Sequence, residues 1–443
     1  MRKKFMAAGP LAVAALTLSL PMLLGTGSCH KRNPIIFVHG GSGSGAQFES
    51  QAMRFTSNGY PQDLIRVLEY DSSQPISTNP ALMAVVHAAL DALIADTLSD
   101  TGAEQVDLMG HSLGTTVSHS YLATPERAAN VANYVNIDGR TASAPPGGVP
   151  TLALWAGAVN RPTPPLIVGA TNVTIPDQEH VEVATSEESF FEMYHFLRGK
   201  APLTTKIIPE LFQRISGRAT NFPANTGLDG ATLEVWLVDG DTGERVGAAP
   251  RDTFAIGPDG NWGPFKAWFG LHYELALVRE GEVTINYYYE PFLRSDHLVR
   301  LNVAGGLAPF ITSSDNHTAL TVVRFREFWG DRGAQNDVLE IDGTNVINAT
   351  SAPSGTVGVA SVSVFLFDVG VDGVSNVPGP IPFPFGPLGF LTAQDLFIPT
   401  DPEDTVSVRV VPRGVAEDEV TVNVPNLPSS TNRVVVQLND FEQ

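Results

Sequence analysis

Residues 106–116, VDLMGHSLGTT, place a serine where an apolar run gives way to a helical pattern. We expect a buried strand to end near Gly110 and a helix to begin at Leu113. A tight strand-to-helix turn needs small residues two positions on either side of its central residue, and Gly110 and Gly114 occupy those places. Strain in such a turn lifts the Ser112 hydroxyl above the sheet edge, where helix amides favour negative charge. The stretch predicts Ser112 as a nucleophile; the alternative is an incidental serine in a glycine-rich turn.

The surrounding residues, 29–200, alternate between strand and helix patterns and predict an α/β domain. NPIIFVHG at 33–40 is a short continuous apolar run, as in a strand that is buried on both faces. The clearest helix covers residues 80–100, where apolar side chains recur at helical spacing at Leu82, Val85, Val86, Ala89, Leu90, Leu93, Ile94 and Leu98. Such βαβ alternation implies a mostly parallel sheet with helices on both faces, whose ligands bind beyond the carboxyl ends of the strands.

The remaining chain, residues 201–443, has a different pattern and predicts an all-β domain. Segments with alternating apolar and β-branched residues, such as ATLEVWLV and TVSVRVV, are separated by turn signals such as DGDTG and GPDGN. A sandwich and a barrel both fit this pattern. A division into two parts between residues 305 and 318, near AGGLAPF, is an option within it.

A serine nucleophile needs a base, and His180 is the best candidate among ten histidines. It lies in the polar loop PDQEHVEV, after the last predicted parallel strand. His39 also follows a predicted strand, whereas His111 adjoins the serine and is expected to shape the turn.

The base in turn needs a carboxylate that holds its ring. Residues 151–176 contain no Asp or Glu, so the strand within them supplies none. One strand earlier, YVNIDGR brings Asp138 to a strand end, which gives the chain order Ser, Asp, His. Asp177, three residues before His180, is the rival.

Glycines after the first predicted strand, in FVHGGSGSG, leave the backbone free to turn toward Ser112. We therefore expect the amides of Gly41 and Leu113 to form an oxyanion hole. A phosphate-binding loop is the alternative, but the lysine of a P-loop is missing. DVGVDGVSN at 368–376 lacks the glutamate of a calcium loop, so we predict neither a metal nor a cofactor.

Charge and the N-terminus bound the partners and the location. The formal net charge of −20 repels nucleic acid, and we predict no nucleic-acid partner. Residues 1–28, with Arg2, Lys3 and Lys4 before an apolar stretch, predict an export signal. Cys29 then marks a lipidated N-terminus, the alternatives being simple secretion and a retained anchor. We expect the protein to be secreted or anchored to a membrane as a lipoprotein.

Taken together, the stretches PIIFVHGG, VDLMGHSLGTT, PERAANVANYVNIDG and HVEVATSEESFF resemble the two-domain triacylglycerol lipases and carboxylesterases of the α/β-hydrolase superfamily. YYYEPFLRSDHLVR and the segment 365–400 resemble their C-terminal β-barrel domain, which is implicated in lipid binding. The resemblance implies the same five residues, namely Ser112, Asp138 and His180 as the triad and Gly41 and Leu113 as the oxyanion hole. It implies an ester hydrolase that acts on acylglycerols or similar lipid-like esters.

Two features qualify this expectation. Fuller-length relatives carry a long apolar lid where this chain has only SSQPISTN, so we expect an open site. Phe383, Phe385 and Phe390 could contact a lipid surface or simply close a β core. The rival functions are a polyester depolymerase, a thioesterase and a non-catalytic surface lipoprotein whose β domain binds a partner.

Overall fold

The computed structural model describes residues 32–401 and 403–441, so the predicted export signal and Cys29 lie outside the described residues. The first part contains a six-stranded sheet of order β2-β1-β3-β4-β5-β6, in which every neighbouring pair is parallel. Its strands are β1 (Ile35–Val38), β2 (Ile65–Leu68), β3 (Val106–His111), β4 (Val131–Ile137), β5 (Thr151–Ala156) and β6 (Thr171–Ile175). The predicted α/β-hydrolase sheet is confirmed.

Helices cover both faces of this sheet, as the alternation of the sequence predicts. They are α1 (Glu49–Ser57), α2 (Pro80–Thr101), α3 (Leu113–Leu122), α4 (Pro125–Ala128), α5 (Glu182–Thr185) and α6 (Glu187–Arg198). Ile35 and Phe37 of β1 pack in one core with side chains from α1 and α6. Ile36 and Val38 pack in a second core with side chains from α2 and α3. A continuous apolar run is therefore needed in β1, because both of its faces are buried.

Helix α2 begins at a strong N-cap and ends at a glycine. The Asn79 side chain accepts hydrogen bonds from the amides of Ala81 and Leu82, and Gly102 closes the helix with φ 62°. Among the described residues, only α2 has the length and composition of a membrane-crossing helix. Its Val86, Leu90 and Ile94 nevertheless pack against the sheet.

One detail of the predicted buried face of α2 is wrong. Val85 is 67% exposed and Ala89 is also exposed. The helix is apolar nearly all round, so periodicity in the sequence does not show which stripe contacts the sheet.

The β region contains three sheets. An eight-stranded sheet has the order β10-β9-β12-β13-β22-β15-β18-β19, and two four-stranded sheets hold β7, β8, β11 and β14, and β16, β17, β20 and β21. The strands are β7 (Phe212–Asn221), β8 (Thr226–Gly227), β9 (Thr232–Val238), β10 (Asp252–Ala255), β11 (Asn261–Trp268), β12 (His272–Val278), β13 (Thr284–Tyr289), β14 (Asp296–Val303), β15 (Leu320–Phe328), β16 (Val338–Ile341), β17 (Thr344–Asn345), β18 (Ser361–Phe367), β19 (Leu391–Asp395), β20 (Thr405–Val411), β21 (Val420–Pro425) and β22 (Asn432–Gln437).

Two apolar cores lie between these sheets, as in a sandwich. One core joins β9, β12 and β13 of the large sheet to β7, β11 and β14. The other joins β15, β18 and β22, together with further residues of β9, β12 and β13, to β16, β20 and β21. The C-terminal strand β22 pairs in parallel with both β13 and β15. The strands before and after the predicted division at 305–318 therefore share one sheet. From Asn33 onward the chain forms one compact unit.

Candidate active site

Ser112 occupies the strained turn between β3 and α3. Its φ of 52° and ψ of −119° lie outside the helical region, and the residue is half-buried. A Cβ on Gly114 would come 2.2 Å from the Val38 carbonyl oxygen, and one on Gly110 would come 2.8 Å from the Gly114 carbonyl oxygen. Both positions therefore require glycine, which is the reason for the spacing in the sequence.

Asp138 and His180 meet at the same edge of the sheet. Asp138 directly follows β4, with φ 39°, and His180 lies between β6 and α5. The distance from His180 Nδ1 to Asp138 Oδ2 is 2.6 Å, and the Asp138 side chain is fully buried. The His180 Nε2 atom is buried and has no hydrogen-bond partner within the described residues. The rival Asp177 is exposed, and Asp138 is the carboxylate that contacts His180.

The Asp138 carboxylate stays ionised despite its burial. Burial alone would raise the pKa of Asp138, but the hydrogen bond and charge of His180, the amide of Ala156 and the charge of Arg161 together hold it below its usual value. The Ala156 amide donates to Oδ1 at 2.9 Å, and Arg161 lies 2.7 and 2.6 Å from Oδ1 and Oδ2. Arg161 is a contact of the site that the sequence analysis missed.

The loop after β1 lies against Ser112. A Cβ on Gly40 would come 3.0 Å from the Ser112 Cβ, and one on Gly41 would come 3.8 Å from the Leu113 side chain. The two residues predicted to form the oxyanion hole are therefore neighbours. Their role in binding an oxyanion stays a prediction.

His39 is bound to its own loop and does not reach Asp138. The ring is fully buried, stacks on Tyr70 at 4.2 Å and donates from Nδ1 to the Gly40 carbonyl at 2.9 Å. Burial lowers the pKa of His39. From the β region, Asn225 donates to the carbonyls of Gly43 and Tyr70 at 2.8 and 3.1 Å. The sequence does not indicate this contact of Asn225, since nothing local links the residue to the loop after β1.

His111 contacts the candidate base. Its Nε2 donates to the His180 carbonyl at 2.8 Å, and its Nδ1 accepts from Gln47 Nε2 at 2.5 Å. Burial, with His180 next to it, lowers the pKa of His111 to about 3. The ring is therefore neutral at physiological pH, with the proton on Nε2 as this network requires.

The three phenylalanines of the Pro-rich tail lie in different environments. Phe385 is fully buried in a β core, Phe383 is 78% exposed, and Phe390 is half-buried. The Phe390 ring lies 5.8 Å from the His180 ring at an angle of 19°, and its backbone has φ 66°. The β region thus supplies an aromatic wall to the site. The described residues contain no group of three or more His, Cys, Asp or Glu side chains placed to hold a metal ion.

The family models that match this chain cover the α/β part and the β region separately. Residues 32–130 match the model of class 2 lipases, and residues 213–305 match the lipase C-terminal domain. A further C-terminal domain model matches residues 306–442. With its sheet and its strand-end residues, the chain is an α/β hydrolase. The matches support a lipase or esterase that carries a C-terminal domain. The class 2 lipase match includes Ser112 but ends before Asp138 and His180.

Solved structures show partial likeness. A gene product of Listeria innocua is 14% identical, with a TM-score of 0.30, over 39% of this chain and 97% of the other. A predicted CIB-like hydrolase of Thermoplasma acidophilum is 16% identical, with a TM-score of 0.29, over 39% and 89%. The carboxylesterase CesB of Bacillus subtilis is 13% identical, with a TM-score of 0.27, over 39% and 85%.

Proposed function

We propose that this protein hydrolyses carboxylic esters through Ser112, His180 and Asp138 by way of an acyl-enzyme. The observation that carries the proposal is the 2.6 Å contact of His180 Nδ1 with a buried Asp138, at the sheet edge where the strained Ser112 lies. A scaffold that only bound a partner would have no need for this combination, because strained backbone and buried carboxylates cost stability.

In the proposed reaction, Ser112 Oγ attacks the acyl carbon while His180 Nε2 takes its proton. Asp138 stabilises the imidazolium, and the amides of Gly41 and Leu113 hold the oxyanion. His180 then protonates the departing alkoxide. Water, deprotonated by His180, attacks the acyl-enzyme, and the acid leaves as Ser112 regains its proton.

We propose acylglycerols or similar lipid-like esters as substrates, with contact to a lipid surface through the β region. Exposed apolar side chains of the β region support this choice, since Val357 is 41% exposed, Val359 48% and Phe383 78%. The Phe390 amide donates to the Gly358 carbonyl at 2.9 Å. Val357 and Val359, on either side of Gly358, therefore belong to the segment that pairs with Phe390, whose ring lies next to His180. We also keep the proposal that the protein is exported and is secreted or anchored through a lipidated Cys29.

The test is a series of p-nitrophenyl esters of rising acyl length, run on the protein and on Ser112→Ala, together with phosphonate labelling of the serine. We expect turnover that rises with acyl length and loss of at least about 10³ in rate in Ser112→Ala. Turnover that survives the substitution would exclude Ser112 as the nucleophile. No turnover and no labelling of either protein would favour the binding-lipoprotein alternative, and release of acid from a solid polyester would favour the depolymerase.

A further inference from the structure

The loop that carries His180 is held by a buried carboxylate of the β region. Glu327, on β15, is fully buried, and it accepts hydrogen bonds from the two amides that follow His180. The Val181 amide lies 2.5 Å from Oε1, and the Glu182 amide lies 2.9 Å from Oε2. A carboxylate that accepts one N–H on each oxygen fixes both the position and the tilt of the peptide that it holds.

The local geometry of β15 explains why Glu327 can reach this loop. The register with β18 shifts between Val323 and Phe328, so the end of the strand leaves the regular ladder. Bulges of this kind re-aim side chains and occur beside active sites. From the same segment, the Phe325 carbonyl accepts from Thr185 Oγ1 at 3.1 Å. The end of β15 thus contacts both ends of the segment from Val181 to Thr185, which contains α5.

Two ion pairs support this contact. Glu182 lies 2.9 Å from Arg326 and 3.0 Å from Arg413, which both come from the β region. Glu179, on the other side of His180, accepts from the Gly355 amide at 2.6 Å. The candidate base is therefore flanked on both sides by residues that are attached to the β region.

We propose that Glu327 is a positioning residue for the proposed hydrolysis, and that it holds His180 in line with Ser112 through the amides of Val181 and Glu182. The inference rests on the proposed function, because it concerns the base of that reaction. Through this contact, the second half of the β region fixes a peptide of the hydrolase domain that carries the proposed base. An error of about 1 Å in the position of a catalytic group costs about 10² in rate, so this attachment bears on kcat.

The experiment compares Glu327→Gln with a matched control. Gln keeps the size but presents an NH₂ group to one of the two amides, where no hydrogen bond can form. Glu274→Gln is the control, since Glu274 is also a buried carboxylate of the β region but pairs with Arg245 at 2.7 Å, away from the His180 loop. For Glu327→Gln we expect kcat to fall about tenfold with KM unchanged. For Glu274→Gln we expect kcat within about twofold of the unsubstituted protein.

Hydrogen exchange of the peptide segment 176–186 gives a readout independent of turnover. We expect faster exchange of this segment in Glu327→Gln and unchanged exchange in Glu274→Gln. Equal kcat and equal exchange in the two variants would overturn the proposal, even if Ser112→Ala is inactive. Failure of the proposed function is distinguishable from this outcome, because in that case the unsubstituted protein has no Ser112-dependent turnover.

Discussion

Replacing Asp138 by Asn should separate catalysis from stability at this site. The substitution keeps the shape but removes the charge that the His180 imidazolium would face. In a triad this costs about 10⁴ in kcat, which corresponds to about 5.5 kcal/mol of transition-state stabilisation. Arg161 also loses its carboxylate partner, and breaking a buried ion pair costs about 3–5 kcal/mol. We expect the lower end, about 3 kcal/mol, because 23% of the Arg161 side chain is exposed and can regain water.

The two effects can be measured on the same proteins by ester turnover and by urea unfolding. Asp138→Asn combined with Arg161→Met should recover most of the lost stability, because the unpaired cation is gone, but none of the activity. Asp91→Asn is the control, since Asp91 pairs with Arg127 at 2.8 Å but is 43% exposed. It should cost about 1 kcal/mol or less and leave kcat unchanged. A kcat for Asp138→Asn within tenfold of the unsubstituted enzyme would refute the triad assignment.

Three further predictions concern the turn, the neutral histidine and the aromatic wall. Gly114→Ala should destabilise the fold by about 1–3 kcal/mol and abolish turnover, because the added Cβ would lie 2.2 Å from the Val38 carbonyl oxygen. Gly305→Ala is the control, since a Cβ there meets open space, and it should change neither stability nor turnover in the same assays. His111 has a pKa lowered from 6.5 to about 3, so its contribution to stability is present above pH 6.5 and is lost as the pH falls toward 3. Urea unfolding between pH 6.5 and 4 should therefore show a shallower loss in His111→Gln, by up to about 1.4 kcal/mol per pH unit, and equal slopes would contradict the buried neutral ring. Phe390→Ala should lower kcat/KM about tenfold for long-chain esters and less for acetate, and an equal effect on both would mean that the ring does not contact the acyl chain.

The sequence predicts those parts of the site that depend on short-range geometry. Gly110 and Gly114 are needed because a Cβ at either place would strike neighbouring backbone, and this requirement is visible within five residues of chain. Asp138 could be predicted because parallel strands bring their carboxyl ends to one edge and the next strand carries no acid. The α/β-hydrolase fold follows from the same alternation of elements and is confirmed.

What the sequence could not predict are contacts between distant segments. Arg161 follows β5 in a Pro-containing loop, with no periodicity to indicate that it folds back on Asp138. For Phe390 the sequence left open a lipid-surface contact and a closed β core, and the Pro-rich tail gives no indication of its approach to His180. Glu327 is separated from Val181 by 146 residues, and its alternating strand pattern hides the bulge that turns it toward the hydrolase domain.

Ser112 and His180, the proposed nucleophile and base, are thus held by different parts of the molecule. Ser112 is fixed by its own turn and by the Val38 backbone, all within one sheet. His180 is fixed by Asp138, by Phe390 and by the Glu327 carboxylate, and two of these three come from the β region. Weakening the attachment of the β region should therefore impair proton transfer at His180 while the strained Ser112 turn persists. A double substitution supports this division if Glu327→Gln and Gly114→Ala lower stability additively, because independent sites add and coupled ones do not.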